Sequence, residues 1–210
     1  VLALLHTSPA HVPVFDALRD EDHPGLELRH FVDEDLLSRA RAQGPDTVAD
    51  DVRAVLARAA AEGARAVLCT CSTLGAVAET AGAAVPVVRV DRPMAAAAVA
   101  AGPRVAVLAT VESTFGPTAD LIVEEARRAA RPVTVRRILV DGAWDRFAAG
   151  DAEGCARLVA DAADAVRDAD AIVLAQASMT PAQRLTRTRV PVLSSPRPGL
   201  AAGARAARHG

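Results

Sequence analysis

The 210 residues carry 24 Lys+Arg, every one of them arginine, against 26 Asp+Glu, for a net charge of -2 at pH 7, which gives a polyanion no reason to bind. Hydrophobic residues make up 51% and charged ones 24%, the balance of a chain folded throughout rather than a disordered one. Without lysine there is no Schiff base for pyridoxal phosphate and no Walker-type phosphate loop, and with no Tyr, one Trp and four Phe there is little surface on which nucleic-acid bases could stack.

In chain order, the run VLALL at Val1–Leu5 reads as a strand that gives out at His6-Thr7-Ser8-Pro9; with no basic leader or cleavage site it does not read as a signal peptide. A second strand is expected over Leu26–Val32. Between Thr47 and Glu62 the apolar positions Val48, Val52, Val55, Leu56 and Ala59 share one helical face, with Asp46 placed to cap it. Strands follow at Ala64–Cys69, Pro86–Val90, Arg104–Ala109, Pro132–Val140, Ala171–Ala175 and Pro191–Ser194, with helical patterns between them, including an amphipathic one over 151–168 that carries Cys155. Strands alternating with helices predict parallel sheets covered by helices. The longest apolar stretches, such as Ala95–Gly102, are far too short and alanine-rich to span a bilayer. A cytoplasmic chain with reduced thiols and no membrane partner is expected.

An internal repeat organises these elements. ARAVLCTCSTL at 64–74 aligns with ADAIVLAQASM at 169–179, and VPVVRVDRP at 85–93 with VPVLSSPRP at 190–198, both at an offset of 105 positions, half the chain. VLALLHTSPAHVPVFDAL and VAVLATVESTFGPTADLI match more loosely near the same offset. The expectation is a duplication: two similar three-layer α/β lobes with mainly parallel four-stranded sheets, related by a pseudo-two-fold axis, with the active cleft between them. The lobes are placed at 1–97, with the C-terminal helix a candidate to complete it, and 98–210. Ligands gather outside the carboxyl ends of parallel strands, and the axis pairs Cys71 with Gln176.

The stretch LCTCSTLG, Leu68–Gly75, sets Cys69 and Cys71 two apart. No third ligand at metal spacing accompanies them, and a CxC disulfide would strain the backbone, so neither a metal site nor a redox pair is indicated. Cys69 lies inside the apolar run and reads as core, as does Cys155. Cys71 falls where the strand ends, just before a helix expected to run to about Ala81. A thiol at a helix N-terminus, beside free backbone N–H groups, is the candidate reactive group.

Three further strand ends carry hydroxyls: HTSP at His6–Pro9, TVEST at Thr110–Thr114 and ASMT at Ala177–Thr180. With CST they place hydroxyls and helix N-termini at four equivalent points, an array suited to a small carboxylate and to the enediolate formed when its α-proton leaves. On these motifs the sequence resembles the aspartate/glutamate racemase superfamily, which includes aspartate, glutamate and hydantoin racemases, maleate isomerase and arylmalonate decarboxylase. The resemblance covers nearly the whole chain. It implies a cofactor- and metal-independent enzyme acting at the α-carbon of a small amino acid or related carboxylate, with Cys71 as first-lobe catalytic cysteine. Ser72 and Thr73 would contact the substrate carboxylate, as would Thr110 with Ser113 or Thr114, and Ser8 would face the substrate from the first-strand loop. Members are often dimers, so a homodimer is expected.

One departure bears on mechanism. Family racemases carry a second cysteine in the second lobe; here that turn reads Ala175-Gln176-Ala177-Ser178, and the Gln176 turn can contact substrate but cannot exchange a proton near neutral pH. Three routes remain open: Glu112 or His6 serves the second face; a single proton donor suffices, as in a decarboxylase; or Cys71 is a nucleophile, as in a cis-trans isomerase. The rival from another class is a non-catalytic carboxylate binder, and a cysteine hydrolase lacks a placed His-Asp pair. Arg92 and Arg197 read as helix-start residues rather than anion clamps, Asp91 as supporting the site from behind, and DALRDEDHPGLELRH, Asp16–His30, as solvated surface.

Overall fold

The computed structural model describes residues 1–209 and builds two α/β units. The first comprises Val1–Asp91 together with the C-terminal segment from Pro196; the second is Arg92–Ser195. In the first, strands β1 (Leu2–His6), β2 (Leu28–Val32), β3 (Ala66–Cys69) and β4 (Val87–Arg89) form an all-parallel sheet of order β2-β1-β3-β4. In the second, β5 (Arg104–Ala109), β6 (Thr134–Leu139), β7 (Ala171–Leu174) and β8 (Val192–Leu193) repeat it as β6-β5-β7-β8. The expected duplication is thus present as one topology used twice.

All eight expected strands form. Pro86, Pro132 and Pro191 fall just outside theirs, having no N–H for the ladder, though the carbonyls of Pro86 and Pro191 still accept from Val67 and Ile172 at 2.9 and 2.8 Å. β1, β3 and β7 are buried at every position, because a central parallel strand is covered on both faces. Alternate residues serve two cores. Ala3, Leu5, Val67 and Cys69 face helices α2 (Glu34–Gln43), α3 (Ala49–Ala61) and α4 (Ser72–Thr80), while Leu2, Leu4, Ala66 and Leu68 face α1 (Val12–Asp22) and α9 (Pro196–His209). In the second unit Val105, Val107 and Val173 pack on α5 (Arg92–Ala101) and α6 (Phe115–Arg128), and Ala106, Leu108, Ile172 and Leu174 on α7 (Ala143–Ala148) and α8 (Ala152–Ala165).

The helix that follows each sheet's last strand leaves that sheet. α5 comes after β4 yet supplies Met94, Ala95, Ala98 and Val99 to the second core, and α9 comes after β8 yet supplies Leu200 and Ala207 to the first. A division at 97/98 cuts through α5, whose apolar face belongs wholly to the second unit, so the observed division falls at its start. At the helix expected over 47–62, Pro45–Val48 winds as a 3₁₀ turn and α3 begins at Ala49; Val48, not Asp46, holds the cap position, with no side-chain bond. No helix among the described residues is long and apolar enough to cross a membrane.

The small residues of α9 set how closely it lies on the first sheet. A Cβ on Gly199 would fall 2.5 Å from the Val90 carbonyl oxygen, whereas one on Gly116 in α6 would meet nothing within 4 Å. Gly199→Ala should therefore lower unfolding stability by about 1–3 kcal/mol through overpacking. Gly116→Ala meets no packed neighbour, but Pro117 crowds a Cβ on the helical residue before it, which offsets the gain in helix propensity, so stability should change by less than about 1 kcal/mol in either direction. Urea denaturation of both variants checks the contrast.

Candidate active site

In each sheet the strand order reverses between the first and third strands, and ligands of open parallel sheets sit at that switch point, beyond the carboxyl ends. In the first unit it lies between β1 and β3, where Leu5 pairs with Cys69; in the second between β5 and β7, where Leu108 pairs with Leu174. The register makes Thr7 equivalent to Thr110, Thr70 to Ala175 and Cys71 to Gln176. Ser8, Cys71, Ser72 and Thr73 are thus brought to one strand-end region of the first unit. Thr110, Ser113, Thr114, Gln176, Ala177 and Ser178 share the corresponding region of the second.

Cys71 takes extended backbone (φ -103°, ψ 116°) and occupies the cap position of α4, with its thiol making no capping hydrogen bond. Its carbonyl accepts from the Leu74 N–H at 3.2 Å and from the Cys69 thiol at 3.6 Å. The N–H groups of Ser72 and Thr73 open the helix and have no intrahelical acceptor. Cys71 is 8% exposed, against 0% for Cys69 and 1% for Cys155. Burial pushes the Cys69 and Cys155 thiols up, away from the thiolate form.

Beneath this turn lies a buried ion pair. The Arg89 guanidinium donates to both carboxylate oxygens of Asp91 at 2.7 and 3.0 Å and reaches the Ser72 carbonyl at 3.5 Å. It passes over Gly75, where a Cβ would stand 2.7 Å from Arg89 Nε. Such a bidentate pair holds its geometry because losing either partner strands a buried charge, at a cost of about 3–5 kcal/mol. Asp91 therefore supports the start of α4 through Arg89, a partner that inspection of the sequence did not supply. Arg92 instead pairs with Glu124 and Glu125, and Arg197 with Glu21 and Asp22.

In the second unit the side-chain oxygen of Gln176 accepts from both the N–H (2.7 Å) and the hydroxyl (3.0 Å) of Thr110. Two consequences follow. The Thr110 hydroxyl proton is already committed, so toward a ligand that oxygen can only accept; and the Gln176 amide nitrogen is turned away from Thr110 with its donors available. Ser8 accepts from the Ala10 N–H at 3.3 Å and keeps its own proton to donate. Ser113 is exposed and Thr114 half-buried on the 3₁₀ turn Glu112–Thr114; Glu112 is exposed there. Ala177 and Ser178 open a 3₁₀ segment, Ala177–Arg184, not an α-helix, so that corner lacks the helix start that CST has.

His6 is not the second proton carrier. Both ring nitrogens are occupied, Nδ1 by Thr70 Oγ1 at 2.8 Å and Nε2 by His30 Nδ1 at 2.8 Å. Desolvation, with the neighbouring His30 and His11, lowers its pKa to about 3; burial lowers that of His11 as well. The chain continues from His30 Nε2 to Asp16 Oδ1 at 3.3 Å. Asp16 and His30 are the first and last residues of the mixed-charge stretch expected to be solvated. Instead the ends of that stretch bond to each other and to β1. Thr70 was not singled out; the signal that finds it is strand register, which pairs the end of β3 with that of β1.

Comparison with known proteins bears on the family and the fold. The chain matches the family model of Asp/Glu/hydantoin racemases over residues 10–203. Among solved structures it is similar to an aspartate racemase of Picrophilus torridus (TM-score 0.72, 13% identity, 99% of this chain and 94% of that one). It is likewise similar to a glutamate racemase isoform of Bacillus anthracis (0.67, 14%, 100% and 82%) and to an arylmalonate decarboxylase (0.63, 20%, 100% and 94%). At these identities the structures establish the fold. A search of curated proteins by sequence returned no match.

The His6 environment has a consequence for stability. A folded-state pKa of about 3 against the ordinary 6.5 means the unfolded chain takes up the proton first. Stability should therefore fall as pH drops from about 6.5 toward 3, by up to about 1.4 kcal/mol per pH unit from this residue, with His11 adding in the same direction. His6→Asn should show a shallower loss, measured by urea denaturation at several values between about pH 7 and pH 4.

Proposed function

We propose that this chain, which belongs to the Asp/Glu/hydantoin racemase family and is an enzyme of the racemase or isomerase type, exchanges a proton at the α-carbon of a small carboxylate through the thiol of Cys71. The observation that carries this reading is the position of Cys71. It is the least covered of the three cysteines, it sits at the β1/β3 switch point, and its thiol has no capping bond at the head of α4. The unpaired N–H groups of Ser72 and Thr73, with the proton of Ser8, supply donors for a carboxylate whose charge grows as the enediolate forms. The Arg89–Asp91 pair would fix the turn that presents these donors.

On this reading the substrate is a small amino acid or related carboxylate, and no cofactor takes part. Cys71 would take the α-proton as thiolate, or return one as thiol. Gln176, held by Thr110 at the position where the family's racemases carry their second thiol, would offer an amide N–H donor to the substrate but no exchangeable acid. That favours a second reading of the same site: chemistry on one face only, in which Cys71 protonates an enediolate left by loss of carbon dioxide and gives one enantiomer.

Proton exchange in deuterium oxide, followed by NMR on a panel of small α-substituted acids and malonates, tests both. Wild type should place deuterium at an α-carbon or release carbon dioxide, and Cys71→Ala should lose about 10²-fold or more of that rate. Gln176→Cys should raise racemisation relative to one-sided exchange, by supplying the second carrier. Equal turnover in wild type and Cys71→Ala would contradict the assignment.

A further inference from the structure

The hydrogen-bonded row Thr70, His6, His30 and Asp16 has two complete ways of arranging its protons. In the first, the Thr70 hydroxyl donates to His6 Nδ1, His6 Nε2–H donates to His30 Nδ1, and His30 Nε2–H donates to Asp16 Oδ1. Both imidazoles are then neutral, and the Leu5 carbonyl keeps a donor in the Thr70 N–H at 3.0 Å. In the second, His30 carries protons on both nitrogens. Its Nδ1–H donates to His6 Nε2, His6 Nδ1–H donates to Thr70 Oγ1, and the Thr70 hydroxyl swings to the Leu5 carbonyl, 3.0 Å away. The two states differ by one proton, by the direction of two hydrogen bonds and by the Thr70 O–H bond to the Leu5 carbonyl, which only the second makes, and neither leaves a group unpaired.

We propose that this row is a proton-sensing device: uptake of one proton at His30 reverses the tautomer of His6 and turns the Thr70 hydroxyl, so that solvent pH resets the turn from which Cys71 is presented. The geometry suits the direction of transfer. Asp16 and His30 have side chains 40% and 17% exposed, while His6 is 0% and Thr70 5% exposed, so the proton enters from the solvent end and its effect is felt at the buried one. His6 relays without itself becoming charged, in keeping with its depressed pKa. The groups facing the row are His11 from the segment before α1, with ring centroids 6.3 Å from His6, and Arg19 on α1, 3.5 Å from Asp16. Phe15 closes the apolar side, 5.6 Å from His6. The second unit has nothing of the kind, since the positions equivalent to His6 and Thr70 are Ala109 and Ala175, both buried.

Histidine labelled with ¹⁵N in the whole protein reports the tautomers directly, through long-range correlation of ring protons with ring nitrogens as pH is varied. The two His6 nitrogens should exchange their N–H and bare-nitrogen shifts in step with His30 becoming imidazolium, and His30→Gln should freeze His6 in one tautomer. A His6 tautomer that stays constant while His30 titrates overturns the device. The deciding readout needs wild type only and is independent of function. The coupling to the turn, which rests on the assignment of Cys71 above, is read from the alkylation rate of Cys71 against pH. Wild type should show a step of up to about tenfold, the worth of one net hydrogen bond, and Thr70→Val should abolish it. A step of equal size in Thr70→Val overturns the coupling. A tautomer switch with neither α-proton exchange nor carbon dioxide release would instead leave the device standing and remove the proposed function.

Discussion

A short parallel strand buried on both faces has no room for a polar side chain until it ends. β1, β3 and β7 expose none of their residues, and the first polar positions beyond them crowd into the same few ångströms as the helix starts that follow. Everything chemical in this protein is a consequence of that crowding. The hydroxyls of Thr7, Ser8, Thr70, Ser72 and Thr73, the thiol of Cys71 and the ring of His6 all lie within two residues or so of a strand's carboxyl end or on the first turn after it. The 2-1-3-4 strand order then puts two such ends side by side at a reversal point, which is where an open sheet leaves space for a ligand.

Duplication supplied two copies of this arrangement, and the interest lies in how they have diverged. The first copy holds a thiol at the head of a true α-helix, a buried Arg89–Asp91 pair beneath it and a histidine row behind it. The second holds a glutamine whose side-chain oxygen is bound to Thr110, ahead of a 3₁₀ segment, with alanine at the places of His6 and Thr70. The thiol, the ion pair and the imidazoles have collected in one copy, and neutral hydrogen-bonding groups in the other. On the proposed reading, such a division suits one thiol handling a proton better than a symmetric two-thiol exchange.

The strands, the repeat and the Cys71–Gln176 equivalence were legible because they depend on local apolar runs and on spacing, both of which survive in a single sequence. What was not legible depends on pairing across distance. Asp16 and His30 sit in a stretch whose mixed charge reads as solvated, and only the parallel pairing of Leu4 with His30 brings that ring against His6. Arg89 lies inside an apolar run, where its burial depends on Gly75 leaving space on a neighbouring helix. The completion of the first unit by the C-terminal helix α9 was among the expectations, but the passage of α5 to the second unit leaves no local mark, since its alanine-rich face packs equally well on either sheet. Asp46 failed as a cap for a simpler reason: Pro45 started a 3₁₀ turn before the helix could begin.

The central claim is that Cys71, alone of the three thiols, meets substrate as an acid–base group. It is tested most directly by iodoacetamide labelling of the native protein near pH 7, with the site of modification read by mass spectrometry in the presence and absence of small carboxylates. The account predicts that Cys71 is labelled first, well ahead of Cys69 and Cys155, and that a bound carboxylate protects it. Labelling of Cys71 no faster than of Cys69, or unaffected by any carboxylate that binds, would contradict it.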